Sequence, residues 1–112
     1  MNNIEISKYY FELSNNSNIS EIKNLFRENT TYSSSNTWLY LGVDNIIEMQ
    51  YKFHSSFNKL NWFIDSIEEI RPWIMLINFT FNWIKNTWEK IIFSWKEYIV
   101  IFDKKIQHIE IK

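Results

Sequence analysis

The segment WIMLINFTFNW, from Trp73 to Trp83, decides the fold because its side chains alternate with a period of two. One face of the segment carries large apolar side chains, namely Trp73, Met75, Ile77, Phe79, Phe81 and Trp83. The opposite face is mixed and carries Ile74, Leu76, Asn78, Thr80 and Asn82. Such alternation is typical of a β-strand with one buried face. We therefore expect the first face to include the most buried stretch of the chain.

The segments next to this strand also alternate, and together they predict an antiparallel meander. The four predicted strands are Trp62–Ile70, Trp73–Trp83, Trp88–Phe102 and Ile106–Ile111. They are separated by Arg71-Pro72, Lys85-Asn86 and Asp103-Lys104. The proline ends a strand because it has no N–H group for the ladder of hydrogen bonds.

Before Leu60 the apolar residues recur at three and four residue steps, which predicts helices. The first helix spans about Asn3 to Leu13, the second begins after Ser20 as its N-cap, and the third follows Gly42 and runs from Val43 to Phe57. Between them, Thr30-Thr31-Tyr32 and Trp38 to Leu41 are β-prone, and Ser33 to Asn36 is a predicted loop. Helices followed by antiparallel strands predict an α+β domain: three N-terminal helices packed on a curved, mainly antiparallel sheet.

The composition favours one folded domain over residues 1–112 and gives no support to several classes of partner. Hydrophobic residues make up 46% of the chain, and the formal net charge of −1 removes the electrostatic argument for nucleic acid or an anionic membrane. The N-terminus has no signal-peptide pattern, and no apolar run reaches the ~18 residues of a membrane span. We therefore expect a cytoplasmic protein.

Cofactor and metal chemistry also find little support in the sequence. The chain has no Cys, and its two His residues, His54 and His108, lie far apart, so we expect no metal site. The single Gly excludes a glycine-rich phosphate loop, so we expect no nucleotide cofactor.

Three segments, in this order and spacing, resemble the nuclear transport factor 2-like superfamily, which includes the SnoaL-like proteins and ketosteroid isomerase. They are ISEIKNLFRENTTYSS at 19–34, LGVDNIIEMQYKF at 41–53 and WKEYIVIFDKKIQHIEI at 95–111. The chain departs from the family pattern at Lys104, where the family has a turn glycine, and at Asn18, where it has an aspartate that starts the second helix. The resemblance implies a cone-shaped, cystatin-like roll whose mouth often holds a small ligand, in a protein that is commonly a homodimer.

Glu97 is the most informative candidate for a site. In its strand it shares a face with the apolar residues Ile91, Phe93, Trp95, Ile99 and Ile101. A carboxyl group on such a face must be paired or kept neutral by a raised pKa. The alternative is an acid at the sheet rim, or one paired with a lysine or with Arg71. The resemblance implies that Glu97 matches the protonated aspartate in the oxyanion hole of ketosteroid isomerase, a worked example of a tuned pKa.

The resemblance also assigns two further positions of the isomerase site. Tyr10 matches its oxyanion-hole tyrosine, although Tyr9 is one residue away and competes for the same role. The catalytic aspartate matches Ser34, and serine does not abstract a carbon-bound proton without a base of its own. Proton abstraction by the isomerase mechanism is therefore not expected.

The remaining candidates are aromatic residues and one histidine. So many aromatic side chains in a small domain suggest that some line a cavity or a subunit interface, beyond those that form the core. The candidates for a ligand cavity are Trp38, Tyr40, Trp62 and His54.

Three functions remain open at this stage, in the following order. The first is a domain that binds a small hydrophobic ligand oriented by Glu97 and Tyr10. The second is a non-catalytic association module that forms a homodimer through its sheet. The third is a lyase or isomerase of the SnoaL-like type.

Overall fold

The computed structural model describes residues 1–35 and 37–112, and in these ranges it has three helices packed on a seven-stranded sheet. The helices are α1 (Asn3–Asn15), α2 (Ile19–Leu25) and α3 (Val43–Ser55). The strands are β1 (Phe26–Ser34), β2 (Leu39–Leu41), β3 (Phe57–Lys59), β4 (Trp62–Arg71), β5 (Ile74–Lys85), β6 (Lys90–Phe102) and β7 (Lys105–Ile111). The predicted loop from Ser33 to Asn36 is shorter than expected because β1 continues to Ser34, and Asn36 lies outside the described residues.

The sheet is mixed and mostly antiparallel, which confirms the predicted fold class. Its strand order is β2-β1-β7-β6-β5, and β4 and β3 both pair with β5. The meander predicted from the sequence is the run from β4 to β7. The β-prone segments before the meander form two further strands, since β1 adds to β7 in a parallel pair and carries β2 on its other edge.

The starts of the first two helices are fixed by asparagine side chains. At α1, the Asn2 side chain accepts a hydrogen bond from the Glu5 N–H at 2.8 Å, and the Glu5 side chain accepts one from the Asn2 N–H at 3.0 Å. The predicted N-cap Ser20 of α2 was wrong. The N-cap is Asn18, whose side chain accepts from the Glu21 N–H, so the helix begins at Ile19 and Ser20 lies in its first turn.

The third helix is preceded by a residue, its N-cap, whose backbone conformation only glycine adopts without strain. Gly42 has a φ of +90°, outside the conformations that residues with a Cβ atom favour. The helix ends at Ser55, two residues before the predicted end, because Phe57 leaves it and pairs with Lys85 of β5.

Two tryptophans that the alternation assigned to strands lie in turns instead. Arg71 pairs with Ile74, so Pro72 and Trp73 form a two-residue turn. Proline suits the first central position of a turn, and the second position then takes a positive φ, which is +74° at Trp73. Trp73 is consequently 54% exposed, and it was wrongly included in the buried face. Trp88 also has a positive φ and is exposed, and β6 begins only at Lys90.

The core lies between the concave face of the sheet and the helices. The alternating residues Met75, Ile77, Phe79 and Phe81 of β5 are all buried, as predicted. They are covered by the apolar stripe of α1, whose Phe11 ring meets the Phe79 ring edge-on at 5.6 Å. On the neighbouring strand β6, Ile99 and Ile101 continue the same buried face. This packing leaves the interior of the cone lined by the inward side chains of β5 and β6.

The helices in the described part of the chain are too short or too polar to cross a membrane.

We predict that Phe79→Ala lowers the free energy of unfolding by about 3–5 kcal/mol, because a side chain that is 2% exposed leaves a cavity when it is truncated. Urea denaturation measures the loss. Phe63→Ala is the matched control, because Phe63 is exposed on the neighbouring strand and its truncation leaves no cavity. A loss below about 1 kcal/mol for Phe79→Ala would contradict the assignment of strand faces.

Candidate functional site

A cavity of about 220 Å³ lies between α1, α3 and the concave face of the sheet. Helix α1 contributes Tyr10, Phe11 and Ser14, and α3 contributes Met49, Gln50, Phe53 and His54. The sheet contributes Tyr32 and Ser34 from β1, Trp62 from β4, Phe79, Phe81 and Trp83 from β5, Trp95 and Glu97 from β6, and Ile111 from β7. The cavity is therefore lined by both the helical layer and the sheet.

One end of the cavity is a cluster of aromatic rings. The Phe53 ring lies 5.0 Å from the Trp83 ring and 6.5 Å from the Trp62 ring, and the rings of Trp62 and Trp83 meet edge-on at 5.4 Å. The Phe81 ring stacks on Trp83 at 3.9 Å. Phe53, Trp62 and Trp83 are each partly exposed, so this end of the cavity lies nearer the surface.

The other end is buried and polar. Glu97 is 3% exposed and Gln50 is 6% exposed, and Tyr10 is buried beside them. The Gln50 side-chain N–H donates a hydrogen bond to the Tyr10 hydroxyl at 3.1 Å. Glu97 is brought to this end because β6 pairs it with Ile77 on one side and Ile111 on the other, so its side chain enters the apolar concave face.

The burial of Glu97 determines its charge. Loss of solvent raises the pKa of the Glu97 carboxyl to about 8, so the group is mostly protonated and neutral at pH 7. Burial also raises the pKa of Tyr10 well above its ordinary value, and the proximity of Glu97 adds to that shift. Glu97 does not lie at the sheet rim, because its side chain is buried. Arg71, the other residue considered as its partner, is exposed at the C-terminal end of β4.

Three buried polar atoms of the cavity lining have no hydrogen-bond partner among the described residues. They are Glu97 Oε2, Gln50 Oε1 and Trp83 Nε1. A buried polar atom without a partner costs about 1–3 kcal/mol of stability. Unpaired groups of this kind are rare in folded proteins, and their convergence on one cavity marks it as a candidate site.

His54 lies at the aromatic end of the cavity. Its Nδ1 atom lies 2.9 Å from the Ser17 hydroxyl oxygen, and its ring is 5.5 Å from the Trp62 ring. Partial burial lowers the pKa of His54 to about 4, so its imidazole is neutral at pH 7.

Four of the six residues that the sequence suggested for the cavity do line it: Tyr10, Glu97, Trp62 and His54. Tyr10 and not Tyr9 faces the interior, because Tyr9 lies on a less buried side of α1. Trp38 was wrong, since it is exposed just before the edge strand β2. Tyr40 does not line this cavity either: it borders a neighbouring groove, and its ring lies 6.3 Å from that of Tyr32.

Gln50 and Tyr32 belong to the cavity but were not recognised as candidates from the sequence. Gln50 carried a signal, since it falls on the apolar face of a helix, in the same way that Glu97 falls on the apolar face of a strand. Tyr32 had no comparable signal, because its orientation depends on the parallel pairing of β1 with β7.

The structure also bears on catalysis and metal binding. Ser34, at the position that the resemblance gives to the isomerase base, lies in the cavity lining. In the described ranges, no group of three or more histidine, aspartate or glutamate side chains is arranged to hold a metal ion. The ionisable side chains of the described lining are Tyr10, Tyr32, His54 and Glu97.

We predict that Glu97 lowers the stability of the protein by about 2 kcal/mol between pH 6 and pH 8, because its pKa is raised. The lowered pKa of His54 acts in the opposite direction and by a smaller amount over the same range, so the Glu97 contribution is the difference between the unaltered protein and a variant without this carboxyl group. The folded protein keeps the proton up to about pH 8, whereas the unfolded chain releases it near pH 4.5. The stabilisation by that proton is therefore complete below pH 4.5 and is lost as the pH rises through 8. Urea denaturation at both pH values measures the change.

Glu97→Gln is the control for this prediction, because it keeps the shape and removes the titration. The variant should lose the part of the pH dependence that Glu97 causes. Equal slopes for the two proteins would mean that Glu97 does not carry a raised pKa.

Comparisons with known proteins bear on the fold. No protein-family model matches the sequence, and no curated protein matches it. Solved structures do match in three dimensions. A protein with a ketosteroid isomerase-like fold from Catenulispora acidiphila, in complex with trimethylamine, superposes with a TM-score of 0.88 at 11% identity, over 96% of this chain and 84% of that one.

Two further structures give the same result. A nuclear transport factor 2-like protein of unknown function from Burkholderia pseudomallei has a TM-score of 0.89 at 8% identity, over 100% of this chain and 90% of its own. An LEH-like epoxide hydrolase from M. tuberculosis has a TM-score of 0.85 at 11% identity, over 97% and 80%. Sequence identities this low establish a common fold and nothing more about activity. The chain has the cone-shaped α+β fold of the nuclear transport factor 2-like, SnoaL-like and ketosteroid isomerase-like proteins.

Proposed function

We propose that the domain binds a small, uncharged and largely apolar ligand in the cavity between α1, α3 and the sheet. The lining of the cavity carries this proposal, because a wall of aromatic rings leads to a few buried polar groups. Apolar cavities with a small number of converging polar groups are typical of small-molecule sites.

The electrostatics of the cavity favour an uncharged ligand. The described lining contains no Lys or Arg, so an anionic ligand would meet no countercharge. Glu97 is neutral at pH 7 because of its raised pKa, and a neutral carboxyl group donates a hydrogen bond that a carboxylate lacks. The polar end therefore favours a ligand with an acceptor atom such as a carbonyl oxygen.

Proteins of the same fold support a ligand-binding role. The structure from Catenulispora acidiphila was solved in complex with trimethylamine, and the protein from M. tuberculosis is an LEH-like epoxide hydrolase. These properties belong to those proteins. They support a ligand-binding role for this chain, which shares their fold.

A lyase or isomerase reaction has weaker support than binding. The position that the resemblance assigns to the catalytic base is Ser34, which is not a base. The lowered pKa of His54 makes its imidazole a weak base at neutral pH.

We predict that naphthalene, a probe of suitable size and polarity, binds the protein and that Ser34→Leu weakens its binding about tenfold or more. The added side chain would occupy the cavity and exclude the probe. Isothermal titration calorimetry measures the affinity. Ser33→Leu is the matched control, because Ser33 is the preceding residue of the same strand and lies outside the cavity lining. Equal weakening by both substitutions, or no binding by the unaltered protein, would contradict the proposed site.

We also propose that two copies of the chain associate through the convex face of the sheet. On this face Leu76 pairs with Tyr98, and Ile74 pairs with Val100, and all four are only partly buried in the single chain. An apolar patch of this kind on a sheet is typical of a subunit interface.

The association is tested by analytical ultracentrifugation at micromolar concentration, where we predict a dimer. Leu76→Lys should produce monomers, because it puts a charge at the centre of the patch. The control is Asn82→Lys on the same face of β5, which is exposed and lies outside the patch. Monomers of the unaltered protein would contradict the proposal.

A further inference from the structure

The buried end of the cavity has a more specific chemistry than a general apolar site. Two of its side chains, Glu97 and Gln50, are each more than nine-tenths buried, and each has one oxygen atom without a partner among the described residues. Both border the same cavity. The two atoms are therefore available to one ligand.

The two groups have opposite hydrogen-bonding roles, since one is an acceptor and the other is a donor. The amide N–H of Gln50 is already used, because it donates to the Tyr10 hydroxyl at 3.1 Å, so the free Gln50 Oε1 is an acceptor. Glu97 is buried beside apolar side chains, and no Lys or Arg lines the described part of the cavity, which keeps its carboxyl group neutral. A neutral carboxyl group has one O–H, so Glu97 is a donor.

Both groups lie near one hydroxyl, that of Tyr10. Gln50 bonds directly to the Tyr10 hydroxyl, and a charge on Glu97 would act on the same hydroxyl through its proximity. The third unpartnered atom, Trp83 Nε1, belongs to the aromatic end. Trp83 is six residues along β5 from Ile77, the partner of Glu97, which is about 20 Å between Cα atoms.

We propose that this end of the cavity recognises a ligand group with a hydrogen-bond acceptor and a donor side by side, as in a cyclic amide. The carbonyl oxygen of the ligand accepts from the Glu97 O–H, and its N–H donates to Gln50 Oε1. This inference rests on the proposed ligand-binding function. It differs from an oxyanion hole, in which two donors converge on a single oxygen atom.

Three neutral bicyclic probes of similar size test the inference. They are 2-quinolone, which has the cyclic amide, N-methyl-2-quinolone, which lacks the donor, and naphthalene, which lacks both groups. Isothermal titration calorimetry at pH 6 compares their affinities for the unaltered protein. We expect 2-quinolone to bind about tenfold more tightly than either of the other two, because each of them leaves at least one buried oxygen unpaired.

The substitution Gln50→Met tests whether Gln50 Oε1 is the atom that accepts from the N–H group of the ligand. It removes Gln50 Oε1 and keeps the length and apolar character of the side chain, so 2-quinolone should lose its advantage over N-methyl-2-quinolone to within about twofold. Tyr51→Met is the control on the next residue of α3, which is exposed and borders no part of this cavity, and it should keep the full preference. Thermal denaturation of each variant verifies folding, and the comparison of probes on the unaltered protein does not depend on any variant.

The outcomes separate this inference from the proposed function. If naphthalene binds and the two quinolones bind equally, the inference is wrong and the apolar site stands. If N-methyl-2-quinolone binds more tightly than 2-quinolone, the Gln50 amide presents its N–H to the cavity, and the inference is also wrong. If none of the three probes binds, the proposed function fails together with it.

Discussion

The structure depends on the need to cover the concave face of β5 and β6. Met75, Ile77, Phe79 and Phe81 point to one side of β5, and Ile99 and Ile101 extend that side across β6. Burial of large apolar side chains is the main source of stability, at roughly 25 cal/mol per Å² of area removed from water. The twist of the sheet curves this face, so straight helices cover it only partly. Helix α1 packs on this face, where Phe11 meets Phe79, and the space left between α1, α3 and the sheet is the cavity.

The same constraint explains why the polar groups of the cavity are costly. Glu97 and Gln50 occupy positions that apolar side chains would fill with a gain in stability. Each unpartnered atom costs about 1–3 kcal/mol, which is a large part of the 5–15 kcal/mol that stabilises a typical domain. The fully buried isoleucines around them offset this cost. Costly polar residues in a core are expected where a site requires them, and this cost supports the proposed ligand site.

The sequence predicted those features that arise from local periodicity. Alternation identified β5 and β6, their faces and Glu97, and helical spacing identified α1 and α3. Alternation gave a wrong result at Trp73. This residue lies an even number of positions from the buried residues of β5, but it belongs to the turn after Pro72 and not to the strand. Alternation also failed for Tyr32, whose orientation depends on the pairing of β1 with β7, in which its partner is the distant residue Ile109. Gln50 could have been predicted, because a polar residue on the apolar face of a helix indicates a buried polar site, as Glu97 does on the apolar face of a strand.

The ionisable groups of the cavity respond to burial in a common direction. The pKa of Glu97 and that of Tyr10 are raised, and that of His54 is lowered, so each group keeps its uncharged form at pH 7. Loss of solvent is the largest cause in all three. An uncharged ligand leaves this balance intact and binds without a change in protonation. A cationic ligand would stabilise the Glu97 carboxylate instead, so its binding would release a proton and weaken as the pH falls. The charge of the ligand is therefore coupled to the state of Glu97, and neutral hydrogen-bonding groups are the ones that this cavity accommodates without that cost.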